Sequence, residues 1–237
     1  MAFCCLFHVH SRHSFDSLLS PKRIIAKARD MRVHALVVTD HNSLQGSVEA
    51  RNFAAGQVPI VVMGAEYQSE KGDIIGLFLK REIRSRQSYE IVREIREQGG
   101  LVVLPHPYKG HVLDEDLLAG IDVVESYNAR CSASDNARAA ELASQRRLPI
   151  LGGADAHCVF ELASVLNVFD GAPPTSEDEF RKQLLSASAP RIQTKPTAAI
   201  WQPYSQIVKS AKTRNPRLFV YQAKRMVLTL AAGSRHQ

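Results

Sequence analysis

The stretch FCCLFHVHSRHSFD, residues 3–16, sets the reading of the whole chain. From Ala2 to Val9 the sequence is almost unbroken apolar residues, the mark of a strand buried on both faces, and it runs into His8-Val-His10. Residues two apart on a strand point to one side, so both imidazoles can reach a single ion. Asp16 follows a few residues later. The same arrangement, an apolar run giving way to metal-binding side chains, returns along the chain. Thr39-Asp40-His41-Asn42 closes the second run, Glu66 ends IVVMGAE, His106 ends LVVLPH, and Asp155 and His157 lie in GGADAH after LPIL. Ligands at the carboxyl ends of successive parallel strands converge on one rim.

The segments between these runs read as helices. Ser20-Pro21 supplies an N-cap followed by proline at the first helical position, opening a helix to about Arg32. Further helices are expected over 43–55, 86–98, 134–147 and 175–186, the last beginning with the good N-terminal signature TSEDE. Strands are expected at 2–9, 34–39, 59–65, 73–79, 101–104, 121–126, 150–151 and 164–169. Strands alternating with helices argue for a mostly parallel sheet or barrel. After Arg191 the character changes: 195–203 reads as a connector, and 217–230 as a basic helix with Leu218, Phe219, Met226, Val227 and Leu230 apolar. The expectation is an α/β barrel over 1–194 and a basic helical appendage over 195–237.

The chain has 237 residues, 45% hydrophobic and 23% charged, which is ordinary for a globular domain and long enough for an undivided barrel. Its net charge of +6 is misleading. The eight basic residues from Lys195 onward, with no acid among them, exceed that total, so residues 1–194 carry a net −2. Basicity is a C-terminal property, which weakens any argument for nucleic-acid binding from overall charge. No apolar stretch reaches the ~18 residues of a membrane span, and MAFCCLFHVH reads as a first strand rather than a signal peptide. Cys4, Cys5, Cys131 and Cys158 form no CxxC pair, which suits free thiols in a reducing, cytoplasmic setting.

Imidazoles and carboxylates without thiolates suit Zn²⁺, Mn²⁺ or Fe²⁺. Their number exceeds one tetrahedral centre and implies two or three divalent ions. Such clusters activate a bridging water and clamp the oxygens of an in-line displacement, usually at phosphorus. HVHSRHSFDSLLSP, TDHN, GAE, HP and GADAH, in that order, resemble the motif series of the PHP (polymerase and histidinol phosphatase) superfamily from about residue 5 to 190. The resemblance implies a distorted seven-stranded (β/α) barrel. It also implies that His8, His10, Glu66 and Asp155 hold a first ion, with Glu66 bridging to a second that His106 also binds. Asp16, His41 and His157 hold a third, with Asp40 counted beside His41 as a further candidate ligand. Many relatives have histidine where SYNAR places Asn128, so the resemblance implies a second ion that is either weakly held or bound there by the amide oxygen.

The function implied is hydrolysis of a phosphoester by a metal-bridged hydroxide, with Arg130 gripping the phosphate and His157 or Asp155 moving a proton to the leaving oxygen. Lys109, Arg12 and His13 are further candidates for the phosphate. No Gly-rich phosphate loop or dinucleotide fingerprint is present, which argues against ATP- or NAD-dependent chemistry. A small phosphorylated metabolite or nucleotide is the first expectation and a short oligonucleotide the second. A protein-tyrosine phosphatase and a non-catalytic binding module are the remaining alternatives. The helix at 217–230 is a candidate contact for an anionic membrane or an acidic partner. His34, His111 and His236 match no motif.

Overall fold

The computed structural model describes residues 1–186 and 188–233; His236 lies outside them. Nine strands form one sheet: β1 (Ala2–Val9), β2 (Ala35–Val38), β3 (Ile60–Ser69), β4 (Gly72–Leu77), β5 (Leu101–Leu104), β6 (Val123–Asn128), β7 (Ile150–Gly153), β8 (Val165–Asp170) and β9 (Arg191–Thr194). The first seven neighbour one another in sequence order. All pairs among them are parallel except those of β4, which is antiparallel to both β3 and β5. The chain beyond β7 then meets β1: the amides of Ala154 and Ala156 donate to the carbonyls of Phe7 and His8, and His10 donates to Ala156. A barrel of seven strands is thereby nearly closed.

The distortion has a visible cause. The first half of β1, Ala2 to Cys5, pairs antiparallel with β8, while its second half faces the segment after β7. One strand therefore serves two neighbours on the same edge. The seam is sealed by Asn167, fully buried, whose side chain accepts from the Gly152 amide and donates to the Gly152 carbonyl. A buried amide side chain here does the work of a missing backbone pair.

Helices cover the outside. α1 (Pro21–Asp30) starts at Ser20, whose hydroxyl accepts from Arg23, and buries Ile24, Ile25 and Ala28. α2 (Gln45–Ala54), α3 (Ser88–Glu97), α4 (Glu115–Ala119), α5 (Ala133–Arg146) and α6 (Glu177–Leu184) follow. Ser132 and Ser176 cap α5 and α6 in the same way as Ser20. At the barrel's base, Phe3 and Phe169 stack with ring centres 5.0 Å apart, and Phe180 of α6 meets both edge-on.

Strand β9 and helix α4 were not expected from sequence. The connector expected at 195–203 is also only partly one, because α7 (Trp201–Lys212) begins inside it. Trp201, Tyr204 and Val208 carry the helical spacing that signals α7, and Val208 is buried. The last helix, α8 (Pro216–Gly233), contains the expected basic segment. It leaves Phe219, Val220, Val227 and Leu228 exposed. Among the described residues no helix is long and apolar enough to cross a membrane.

Candidate metal centre

The strand ends gather most of the candidate ligands at one mouth. Three overlapping groups have ligand atoms all within 4.8 Å of one another: His10 with Asp16, His41 and His157; His8 with Glu66 and His106; and His8 with His10 and Asp155. Glu66, 1% exposed, sits between them. Its Oε1 lies 3.1 Å from His106 Nε2 and 3.5 Å from His8 Nε2, and its Oε2 lies 3.1 Å from His41 Nδ1 and 3.5 Å from His10 Nε2. Asp16 Oδ2 lies 3.1 Å from His157 Nε2 and 3.3 Å from His41 Nε2. Two donors each about 2.1 Å from one ion sit roughly 3–4 Å apart, which is the spacing these pairs have.

The surroundings aim the rings. His8 Nδ1 is 2.6 Å from Glu125, His10 Nδ1 is 3.1 Å from Ser14, and His157 Nδ1 is 2.8 Å from the Asp155 carbonyl, so each Nε2 faces the cluster. His8, His106 and Asp155 have φ of 64°, 27° and 46°, a left-handed region that costs a residue with a side chain and that gathers at functional sites. The next turn of support is tight as well. A Cβ on Gly153 would collide with the Glu125 carboxylate, so glycine is required there.

Charges respond to this crowding. Burial opposes a proton on His41, yet Glu66 and Asp16 pull its pKa up to about 9. Burial likewise opposes a charge on His8, and Glu125, Glu66 and Asp155 raise it well above the ordinary histidine value. Glu66 and Asp155 resist the burial that would neutralise them, because His8 and its neighbours hold both well below the carboxylate range. His10 is the exception: burial and the adjacent His157 and His41 push it down to about 3. The carboxylates of Asp16, Glu66 and Asp155 thus favour added positive charge at the mouth.

The residues fit divalent ions on a structural observation. His8 Nε2, His10 Nε2, Asp16 Oδ1, His41 Nδ1 and His106 Nδ1 are buried without a hydrogen-bond partner. Polar atoms left this way are costly unless something binds them. The donors are imidazole nitrogens and carboxylate oxygens, the set suited to Zn²⁺, Mn²⁺ or Fe²⁺.

Three of the expected site residues have other partners. Asp40 faces away from the cluster: it accepts from the Ser11 amide and hydroxyl and from the Ser14 hydroxyl, and so braces the loop that carries Asp16. Asn128 does not offer its oxygen, which accepts from the Arg130 amide at 2.8 Å, while its NH₂ donates to Glu125 and Asp155. Arg130 is engaged elsewhere. Its guanidinium makes a two-point pair with Glu161 at 2.7 and 2.9 Å and donates to Ser205, both members of the ion pair being buried. Arg12 and His13 are both paired to Glu49. Lys109 remains at the mouth, 44% exposed, its Nζ 3.7 Å from Asp155 Oδ2.

Two supporting residues escaped the sequence reading. Glu125 is an acid that directly follows the buried apolar pair Val123-Val124 in β6, fully buried itself, holding His8 and the His106 amide. A charged residue in a buried run is the signal that could have found it. Glu161 accepts from the amides of His157 and Cys158 and had no such signal. His34 stands apart as expected, accepting from the Cys4 amide, whereas His111, 2.9 Å from the Asp73 carbonyl, packs its ring edge-on against His106 with centres 5.4 Å apart.

A near-closed seven-stranded barrel with an imidazole-carboxylate cluster at its mouth defines a class, and the comparisons agree. Residues 7–145 match the PHP domain model and residues 133–188 the PHP-associated model. The chain belongs to the PHP domain family. It is 32% identical over 139 residues to an uncharacterized protein of Methanocaldococcus jannaschii, covering 51% of this chain and 81% of that one. It is also 38% identical over 85 residues to a phosphoribosyl 1,2-cyclic phosphate 1,2-diphosphodiesterase of Eggerthella lenta, covering 34% of this chain and 32% of that enzyme. Among solved structures it resembles a two-domain protein of Bacteroides vulgatus containing a predicted PHP-like metal-dependent phosphoesterase. That match has a TM-score of 0.68 at 17% identity and covers 82% of this chain and 65% of that one.

Proposed function

We propose that this protein is a metal-dependent phosphoesterase acting on a small phosphorylated metabolite or nucleotide. One observation carries the reading: three overlapping ligand groups share His8 and His10 and surround Glu66, the layout of adjoining ions rather than of one isolated ion. Divalent ions bound there would make a water nucleophilic at neutral pH and offset charge on the phosphoryl oxygens. The ligand side chains are buried, His41 at 11% being the most exposed of them, which favours a substrate whose reacting end is slender.

The chain's own groups divide the remaining work. Asp155 and His157 aim atoms into the cluster, and that geometry favours ligation over the proton transfer expected from sequence. Lys109 replaces Arg130 as the cation for a phosphoryl oxygen, because its ammonium borders the cluster from the solvent side while Arg130 is spent on Glu161. A second reading, hydrolysis of a diester or short oligonucleotide, draws support from the likeness to the cyclic-phosphate diesterase.

The test is a substrate screen on protein loaded with Mn²⁺ or Zn²⁺, using an aryl phosphate, a bis-aryl phosphate, nucleotides and an oligonucleotide. The expected outcome is turnover of monoesters that is lost in Asp155→Ala. No turnover of any substrate by fully metallated protein would reject the enzyme reading.

A further inference from the structure

We infer that Lys212, the last residue of helix α7, is a positioning residue chiefly for one ion site, the one built from Asp16, His41, His157 and His10. The inference rests on reading the clusters as divalent-cation sites. Its basis is where α7 is fastened. The Lys212 ammonium donates to three backbone carbonyls, Arg12 at 2.8 Å and Ser14 and Ser17 at 2.7 Å each. An ammonium has three N–H donors, and here each meets one carbonyl. All three carbonyls belong to the loop that presents Asp16. They converge on one point, and a single ammonium satisfies all three.

Two further contacts tie α7 to the same site. One turn earlier, the Lys209 ammonium lies 4.6 Å from the centre of the Phe15 ring, and that ring stacks on His41 with centres 4.4 Å apart and planes 1° from parallel. At its other end, Ser205 receives the Arg130 guanidinium, whose partner Glu161 holds the amides of His157 and Cys158. The helix thus grips the Asp16 loop, the ring against His41 and the brace under His157. Their fourth member, His10, sits just beyond β1 and is oriented by Ser14 from the gripped loop.

The other two groups are supported differently. His8, Glu66, His106 and Asp155 are set by strand ends and by Glu125, with no direct contact to α7 among the hydrogen bonds and ion pairs of the described residues; an indirect link to it runs from Asn128 through the Arg130 amide. Loosening α7 should therefore weaken the Asp16 ion most, reach the His8–Asp155 group only through the shared His10, and spare the group of His8, Glu66 and His106. The segment that reads as an appendage in sequence is part of the site.

The experiment titrates Co²⁺ into the full-length wild-type protein and Lys212→Met, reading visible absorption and bound metal by elemental analysis, with thermal unfolding on both. Lys212→Met keeps the length and helix preference of the side chain and removes every donor. The expected result is a loss of at least tenfold in affinity for one ion, with the tightest site unchanged. Equal affinities and stoichiometry in the two proteins overturn the inference, as does an equal weakening of every site, which would make α7 a general support. If the Met variant does not fold, Lys212→Gln decides: selective loss of one ion supports the assignment and wild-type titration overturns it. Wild-type protein that takes up no Co²⁺ rejects the cation-site reading itself, a distinct outcome.

Discussion

Strand β1 begins in one environment and ends in another, and the contrast explains the molecule. At the base, Phe3 packs with Phe169 and Phe180, all buried, in stacked and edge-on contacts between apolar rings. At the mouth, five residues later, His8 is equally buried but has an atom without a partner and a left-handed backbone. The base gains stability by excluding water from hydrocarbon. The mouth holds desolvated polar atoms and strained residues, which the rest of the fold must support. Stability and function are thus segregated along a single strand, and substitutions at the two ends should fail in different ways.

The sharpest way to break this contrast is at its functional extreme. Glu66→Gln removes the carboxylate common to four histidines, so bound divalent metal should fall by more than the roughly 10–100-fold that follows loss of an outer-shell partner. Circular dichroism should show the fold retained; a Glu66→Gln variant that binds metal like wild type would refute the central place given to this carboxylate. At the base, Phe180→Ala should cost about 3–5 kcal/mol of stability, seen as a lower Tm, while the folded fraction binds metal normally. Altered metal affinity there would mean the two ends are coupled.

Two cations near the mouth offer a finer version of the same comparison. Arg130→Met leaves Glu161 buried without its partner and should destabilise by about 3–5 kcal/mol. Lys109→Met should leave Tm nearly unchanged and reduce kcat/KM for a phosphomonoester by about 10–100-fold, the size of one lost charged contact to the substrate. Thermal melts and steady-state kinetics on both variants check this, and exchanged phenotypes would return the substrate role to Arg130.

The mouth alone should respond to pH in its ion binding. His41 keeps a proton up to about 9 in the metal-free site, and an ion must displace it, so binding releases a proton. Affinity should rise with pH between 6 and 9, by up to about tenfold per unit for each proton displaced. His10, at about 3, has no proton to lose across that range. Competition with a chromophoric chelator measures the slope; a flat profile contradicts the assignment of His41. The smallest effect belongs to α8, whose exposed Phe219, Val220 and Val227 lie on a helix with Arg217, Lys224, Arg225 and no acid. Weak, salt-sensitive cosedimentation with anionic vesicles is expected, and it should vanish on truncation after residue 215. Equal sedimentation of both proteins would end that proposal.

By itself the sequence determined the alternation of strands and helices, the strand ends where ligands emerge and the chemical character of the site. Those features are local: an apolar run fixes burial, a two-residue spacing fixes a shared face, and a serine before a helix fixes its start. Only the tertiary structure decided which polar residues at those ends face inward. Asp40 and His41 are neighbours in sequence, yet Ser11 and Ser14 draw Asp40 into the loop while His41 turns to Glu66. Arg130 and Lys109 look alike in sequence until Glu161, 31 residues from Arg130, claims the guanidinium. Lys212 reaches carbonyls about 200 residues away, a relation no local pattern encodes. The physical reason is common to all three. A charged or polar side chain takes whichever partner lowers its desolvation cost, and that partner is chosen by packing across the barrel.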